Sequence, residues 1–298
     1  MNPPVSTPAA SVAPCLLAFD TSTEQMVIAV ASPAGVWTHR SAGGALVSKT
    51  LLRQAHLLLQ QAGLALADLD AIAFGRGPGA FTGLRTSCAV AQGLAFGLGC
   101  GVLAIDSLLI VAEDAHAQAL AQDRAGGSLD NGPEGAAEHR VDSADGGFCF
   151  DVGVAVDARM DEAYAARYRW TRQGWLVQQA PALYTLPALA AAWCQAVDGA
   201  GGGDGRDEAA PAGAPGALAG SALLAFGARL PWPAAARRFE REHDRAAALA
   251  RLAIRAWADG KAVDAALALP LYLRDKVALT TREREAVRQT AALPAARG

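Results

Sequence analysis

The run "CLLAFD" (residues 15–20) is apolar until its last position and shows no alternation, as expected of a strand covered on both faces. A polar turn, Thr21–Gln25, separates it from the apolar run "MVIAVA". Residues 15–31 therefore predict two strands, and a third is predicted around Gly35–Arg40. The period then changes. In "SKTLLRQAHLLLQQAG", Leu51, Leu52, Ala55, Leu58, Leu59 and Ala62 recur at helical spacing, with Ser48 as the expected N-cap and Gly63 as the stop. "DAIAFG" predicts a strand, followed by the glycine-rich loop Gly75–Gly83 and a helix over about Leu84–Leu98. "GVLAIDS" and "LLIVAEDAHAQALAQD" predict one more strand and one more helix. A strand meander followed by alternating strands and helices predicts an α/β lobe over 15–121.

Two stretches, 122–148 and 198–216, are polar, glycine-rich and without period, and read as a flexible insertion and a flexible loop. Around them a second lobe is expected over 149–279. "VGVAVDARMDEAYAARYRW" predicts strand, turn, strand. "SALLAFGARL" reads as strand-like, and a late amphipathic helix (about 243–259) is placed to return to the first lobe. Residues 1–14 read as a disordered lead and 280–298 as a charged tail. Asp20 and Asp157 each end a buried strand and open a polar turn into the next one. This repetition predicts a duplicated lobe with a cleft between the copies.

Composition narrows the function. The chain is 52% hydrophobic with net charge −3, so no basic surplus points to nucleic-acid binding by this chain alone. The N-terminus lacks the basic region and apolar core of a signal peptide. No apolar run is long enough for a membrane span, and a cytoplasmic protein is expected. The five cysteines are scattered without a CxxC pair and read as reduced thiols. The five histidines form no HExxH and no close pair, and GxSxG is absent. These absences leave a protease without support and predict no metal centre.

Four constellations carry candidate chemistry, each with a plainer alternative. The loop with Gly75, Gly77, Gly79 and Gly83 matches neither GK[ST] nor GxGxxG. It is either a phosphate cradle or a tight turn, with Thr82 capping the next helix. Asp20 followed by Thr21, Ser22 and Thr23 can hold a metal-bound phosphate, or can bond its own turn. Asp157, Arg159, Asp161 and Glu162 form either a paired-carboxylate site or a turn whose charges pair locally. The helix after the loop is rich in small residues: Ser87, Cys88, Ala89, Ala91, Gly93, Ala95 and Gly97. Glycine inside a helix costs about 1 kcal/mol against alanine, so Gly93 and Gly97, four apart on one face, imply close approach of a neighbour. That neighbour is the chain's own sheet or a partner's helix. The arginines 237, 238, 241, 245, 251 and 255 are interrupted by Glu240, Glu242 and Asp244 and read as a solvated, salt-bridged face.

In this order, "LAFDTST", "IAFGRGPGAFTGLRTSCAVAQGLA", "AVDARMDEAYAARY" and "PLYLRDKVA" resemble the TsaB (YeaZ) family of bacterial tRNA-modification proteins. The likeness covers most of residues 15–279 outside the two glycine-rich stretches. It implies a two-lobed actin/Hsp70/sugar-kinase-like (ASKHA) fold, each lobe on an RNase-H-like mixed sheet. It implies a non-catalytic subunit that binds a homologous TsaD, the threonylcarbamoyl transferase, with a TsaE ATPase joining the assembly, and a homodimer when alone. tRNA is reached through the complex. TsaD carries a metal-binding histidine pair, whereas "GGALVSKTLL" here has no histidine and places Val47 where relatives often have one. By the resemblance, the partner surface is carried by Leu51, Leu58, Leu84, Cys88, Ala91, Gly93, Ala95 and Gly97. Asp20, Thr21, Ser22, Thr23 and Asp157 are left as a vestigial nucleotide site of weak affinity, with no obligatory cofactor. The alternative is a small-molecule kinase or ATPase of the same fold. Although the family is historically grouped with glycoproteases, the residues carry no such chemistry.

Overall fold

A computed structural model describes residues 13–44, 47–126, 149–194 and 215–274. The first sheet has five strands: β1 (Leu16–Asp20), β2 (Gln25–Ser32), β3 (Gly35–Ala42), β4 (Ala71–Gly77) and β5 (Gly101–Asp106), in the order β3-β2-β1-β4-β5. β1, β2 and β3 form an antiparallel meander, and β4 and β5 run parallel to β1. The central place of β1 explains its unbroken apolarity, since both of its faces are covered. Leu17, Phe19, Ile28 and Phe74 pack under α1 (Val47–Gln61) and α2 (Phe81–Leu98). The alternate residues Leu16, Ala18, Val27 and Ala73 pack under α6 (Arg245–Ala258).

The second sheet repeats this topology. β6 (Phe150–Arg159), β7 (Glu162–Thr171) and β8 (Gly174–Thr185) form the meander, with β9 (Ala217–Ala219) parallel to β6 and β10 (Arg237–Phe239) parallel to β9. One face carries α4 (Leu186–Cys194) and α5 (Ala222–Phe226). The other carries α3 (Ser107–Gly126), through Leu108, Val111, Ala112 and Ala115 against Val152, Val154 and Tyr168. The helix that follows the first sheet thus packs on the second, and α6, which follows the second, packs on the first. α3 and α6 touch each other between the sheets.

Several local expectations are corrected. α1 begins at Val47, so Ser48 lies inside its first turn. α2 begins at Phe81 behind Ala80, and Thr82 does not cap it; its carbonyl accepts from the Thr86 hydroxyl at 3.0 Å. α3 continues through 122–126, where the insertion was expected to start. "SALLAFGARL" forms α5 and a 3-10 turn rather than a strand, because Ala222, Leu223 and Phe226 bury one side of a helical turn. β8 and α4 had no counterpart in the pattern. β8 is an edge strand with a proline, and its alternation is weak. The expectations for 1–12, 127–148, 198–214 and 275–298 lie outside the described residues.

His116 on α3 is buried, with ring centroids 4.5 Å from Trp170, 5.3 Å from Phe150 and 5.8 Å from Trp175. Burial pushes its pKa below the ordinary 6.5; Glu113 opposes this and Arg251 reinforces it. The unfolded chain then binds the proton more readily, so stability is full above the unfolded value and falls as pH drops below it. The melting temperature is expected to decline from pH 7.5 to 5.5, and His116→Phe is expected to flatten that decline. An unchanged slope in the variant would assign the decline to other groups.

Candidate functional site

β1 delivers Asp20 to the carboxyl end of the first sheet, where the side chain is fully buried. Its Oδ1 accepts from the Ser22 amide at 2.6 Å, and its Oδ2 accepts from the Arg245 guanidinium at 2.6 Å. Arg245 also donates to Glu242 Oε2 at 2.6 Å and to Ser22 Oγ and the Ser107 carbonyl at 3.3 Å each. Burial alone would raise the pKa of Asp20. Arg245 and the Ser22 hydrogen bonds outweigh it and hold the carboxyl below its ordinary value. Arg245 was expected on a solvated face; it is 95% buried because it answers this charge. Arg237 and Arg255 do pair with acids at the surface, Asp123 and Asp259, while Arg251 pairs with the buried Glu113.

The glycine-rich loop closes over the same turn. The Ala80 amide donates to the Ser22 carbonyl at 2.8 Å, and the Gly77 amide donates to Ser107 Oγ at 3.1 Å. Thr21 Oγ1 donates to the Gly83 carbonyl at 2.7 Å and lies 2.6 Å from Ser87 Oγ. A Cβ at Gly75 would overlap the Asp20 carboxylate, and one at Gly83 would overlap the Thr21 carbonyl oxygen. These glycines bring α2 against the β1–β2 turn. Asp20, Thr21 and Ser22 are sealed beneath it, and only Thr23 is half-exposed.

Asp157, expected to end its strand, lies two residues before the end of β6, where the pairing with β7 shifts register ahead of a second turn. Its amide donates to Ser221 Oγ at 3.1 Å, and its carboxylate accepts from the Arg159 amide at 2.8 Å. Asp161 pairs with Arg229 at 2.9 Å, Glu162 with Arg274, and Arg159 reaches Glu24 of the β1–β2 turn at 2.5 Å. Locally paired charges, and not a carboxylate dyad, describe this turn. Arg159, Met160 and Asp161 all have positive φ (65°, 57° and 56°), which side chains other than glycine resist. Arg274 holds the turn by donating to the Ala158 carbonyl at 3.0 Å.

The expected partner surface divides in two. Leu51, Leu58, Leu84, Cys88, Ala91 and Ala95 are all under a tenth exposed, turned into the chain itself. Contact with a second protein through them is corrected: the apolar stripe of an amphipathic helix covers its own sheet first. Gly93 and Gly97 face outward with nothing within 4 Å of a Cβ. Beside them stands Phe96, 86% exposed, and α1 contributes the exposed Leu52 and Leu57. Sequence reasoning passed over Phe96, although it lies between the two glycines that were singled out. It quoted "PLYLRDKVA" as a motif but did not place the strap 268–274 against α2. There the Ala268 carbonyl accepts from Gln92 at 3.0 Å, the Leu271 amide donates to the Arg76 carbonyl at 2.7 Å, and Tyr272 packs 5.2 Å from Phe81. Cys15, Cys88, Cys100 and Cys149 form no disulfide, and among the described residues no cluster of three or more metal-ligating side chains occurs. No helix among them is long and apolar enough to cross a membrane.

Residues 44–124, which hold α1, the loop and α2, match the family model described as TsaD: tRNA N6-adenosine threonylcarbamoyltransferase. The tRNA threonylcarbamoyladenosine biosynthesis protein TsaB of Haemophilus influenzae is 35% identical over 50% of this chain and 51% of its own length. The TsaB protein of Escherichia coli is 30% identical over 53% of this chain and 57% of its own. Two solved structures extend the likeness. YeaZ from Pseudomonas aeruginosa shares 32% identity with a TM-score of 0.61, over 87% of this chain and all of that one. A crystal structure from the same organism, of a protein with similarity to peptidase YeaZ, has 32% identity and a TM-score of 0.62, over 88% and 100%. The chain belongs to the TsaB (YeaZ) family. It spans about half the length of the curated relatives it matches. The two mixed sheets of identical topology are the two-lobed, actin-like α/β fold that the motifs implied.

Proposed function

We propose that this chain is a non-catalytic subunit of tRNA threonylcarbamoyladenosine synthesis, binding and activating a TsaD-like threonylcarbamoyl transferase that modifies the adenosine beside the anticodon. The observation that carries the reading is the outer face of α2, where Phe96 stands exposed between two glycines that open space for a neighbouring helix. On α1, Leu52 and Leu57 are exposed as well. Exposed aromatics beside small residues suit close helix packing, and each helical glycine costs about 1 kcal/mol unless a contact compensates. The family relationship supplies the chemical context. On this reading a TsaE-like ATPase joins the assembly, two copies pair when the partner is absent, tRNA is met through the complex, and the protein works in the cytoplasm. The alternative, a kinase or ATPase, needs Asp20 available for a metal-bound phosphate. In this chain Arg245 holds that carboxylate.

The test mixes the purified chain with the TsaD-like protein of the same organism and follows size exclusion with light scattering. Wild type is expected to form a heterodimer. The Gly93→Leu/Gly97→Leu variant, folded by circular dichroism, is expected to lose it, and Phe96→Asp to weaken it at least tenfold, the loss of a well-packed aromatic anchor. Equal association of all three would sink the α2 surface. Equal modification of tRNA with and without the chain would sink the subunit role.

A further inference from the structure

The carboxyl ends of parallel strands are where an open α/β sheet receives its ligand, and in this chain β1, β4 and β5 end together at Asp20, Gly77 and Asp106. Four oxygens surround the Arg245 guanidinium there: Asp20 Oδ2 at 2.6 Å and Ser22 Oγ and the Ser107 carbonyl at 3.3 Å from Nη2, and Glu242 Oε2 at 2.6 Å from Nη1. Two carboxylates, a hydroxyl and a carbonyl are the hard donor set that a divalent cation takes. We infer that Arg245 is the resident cation of this sheet-end site, a tethered guanidinium that fills it permanently and closes it to metal-bound phosphates.

The geometry favours a fixed plug over a gate. Arg245 is the first residue of α6, and that end of the helix is pinned twice. Asp244 caps it by accepting from the Ala247 amide at 3.0 Å. Asp114, on α3, accepts from the His243 and Asp244 amides at 2.9 and 2.8 Å. With its backbone fixed and its side chain 95% buried, Arg245 cannot swing out without stranding Asp20. The glycine-rich loop seals the site from above, through the Ala80–Ser22 and Thr21–Gly83 hydrogen bonds. A bound phosphate would need donors, and the Arg245 terminal nitrogens already serve these four acceptors. The inference is independent of whether the chain binds a TsaD-like protein.

The test uses the full chain as wild type, Asp20→Asn, Arg245→Ala and Asp20→Asn/Arg245→Ala. Each is melted in rising millimolar methylguanidinium chloride against sodium chloride of equal ionic strength, and each is titrated with Mg·ATP. The wild type is expected to melt unchanged and to bind no Mg·ATP at about 1 mM, the weak end of ordinary substrate affinity. Arg245→Ala is expected to melt lower and to be raised saturably by methylguanidinium, which refills the vacated place. The double variant, lacking the carboxylate, is expected to show no such rescue. Failure of methylguanidinium to raise the Arg245→Ala melt would overturn the inference. So would wild-type Mg·ATP binding that Asp20→Asn abolishes. Should Arg245→Ala not fold, the wild-type titration still decides between a filled site and an open one.

Discussion

Asp20→Ala is expected to lower the unfolding free energy by about 3–5 kcal/mol, because it leaves the buried Arg245 guanidinium without its fully buried counter-charge. The remaining carboxylate, Glu242, is 30% exposed and partly screened. The loss should be far smaller in Asp20→Leu/Arg245→Leu, which removes both charges, since a buried ion pair replaced by apolar side chains is often neutral. Urea denaturation of the three proteins measures this directly. An Asp20→Ala stability within about 1 kcal/mol of wild type, the size of an exposed pair, would show that the pair is not sealed. The pH dependence has a definite sign. The folded carboxyl is held below its ordinary value, so the unfolded chain binds the proton first. The contribution is complete above the unfolded carboxylate value and is lost as pH falls through it toward the folded one. Together with His116, which begins to act at higher pH, this predicts two stages of acid destabilisation.

Gly83→Ala is expected to cost about 3 kcal/mol, at the upper end for forced overpacking, because the new methyl overlaps the Thr21 carbonyl oxygen and neither backbone can yield alone. Relief requires α2 to move off the β1–β2 turn, which breaks the Thr21–Gly83 hydrogen bond and separates Thr21 from Ser87. Gly93→Ala, ten residues along the same helix, should act in the opposite direction. Its Cβ meets nothing within 4 Å, so the substitution is expected to gain about 1 kcal/mol from helix propensity. The same methyl should weaken association with the TsaD-like protein. A glycine whose replacement stabilises the monomer and harms the complex is kept for the contact. Thermal melts alongside the size-exclusion assay separate the two roles. A neutral Gly83→Ala would mean that the loop is not packed on the turn as described.

The sequence by itself determined the first sheet, the β6–β7 hairpin of the second and the duplication, but not β8, β9 or β10. A strand buried on both faces must lack alternation, and "LLAFD" does. The alternation of glycine-rich loop and helical period placed α2 within a few residues, and the repeated aspartate turns anticipated two sheets of one topology. What it could not determine is which side of a helix faces inward. Leu51, Leu58, Cys88 and Ala91 have the composition of an interface, but the hydrophobic effect spends such residues on the nearest apolar surface, here the chain's own first sheet. Gly93, Phe96 and Gly97 are left outside by the same geometry. Nor could spacing reveal that Arg245, 225 residues from Asp20, would be its counter-ion. In a list of arginines and glutamates it looks like surface. Only the crossing of α6 back onto the first sheet brings the two charges together, and the cost of a lone buried carboxylate makes that meeting obligatory. The tertiary structure decided the site, because burial and pairing are properties of the folded chain and not of any window along it.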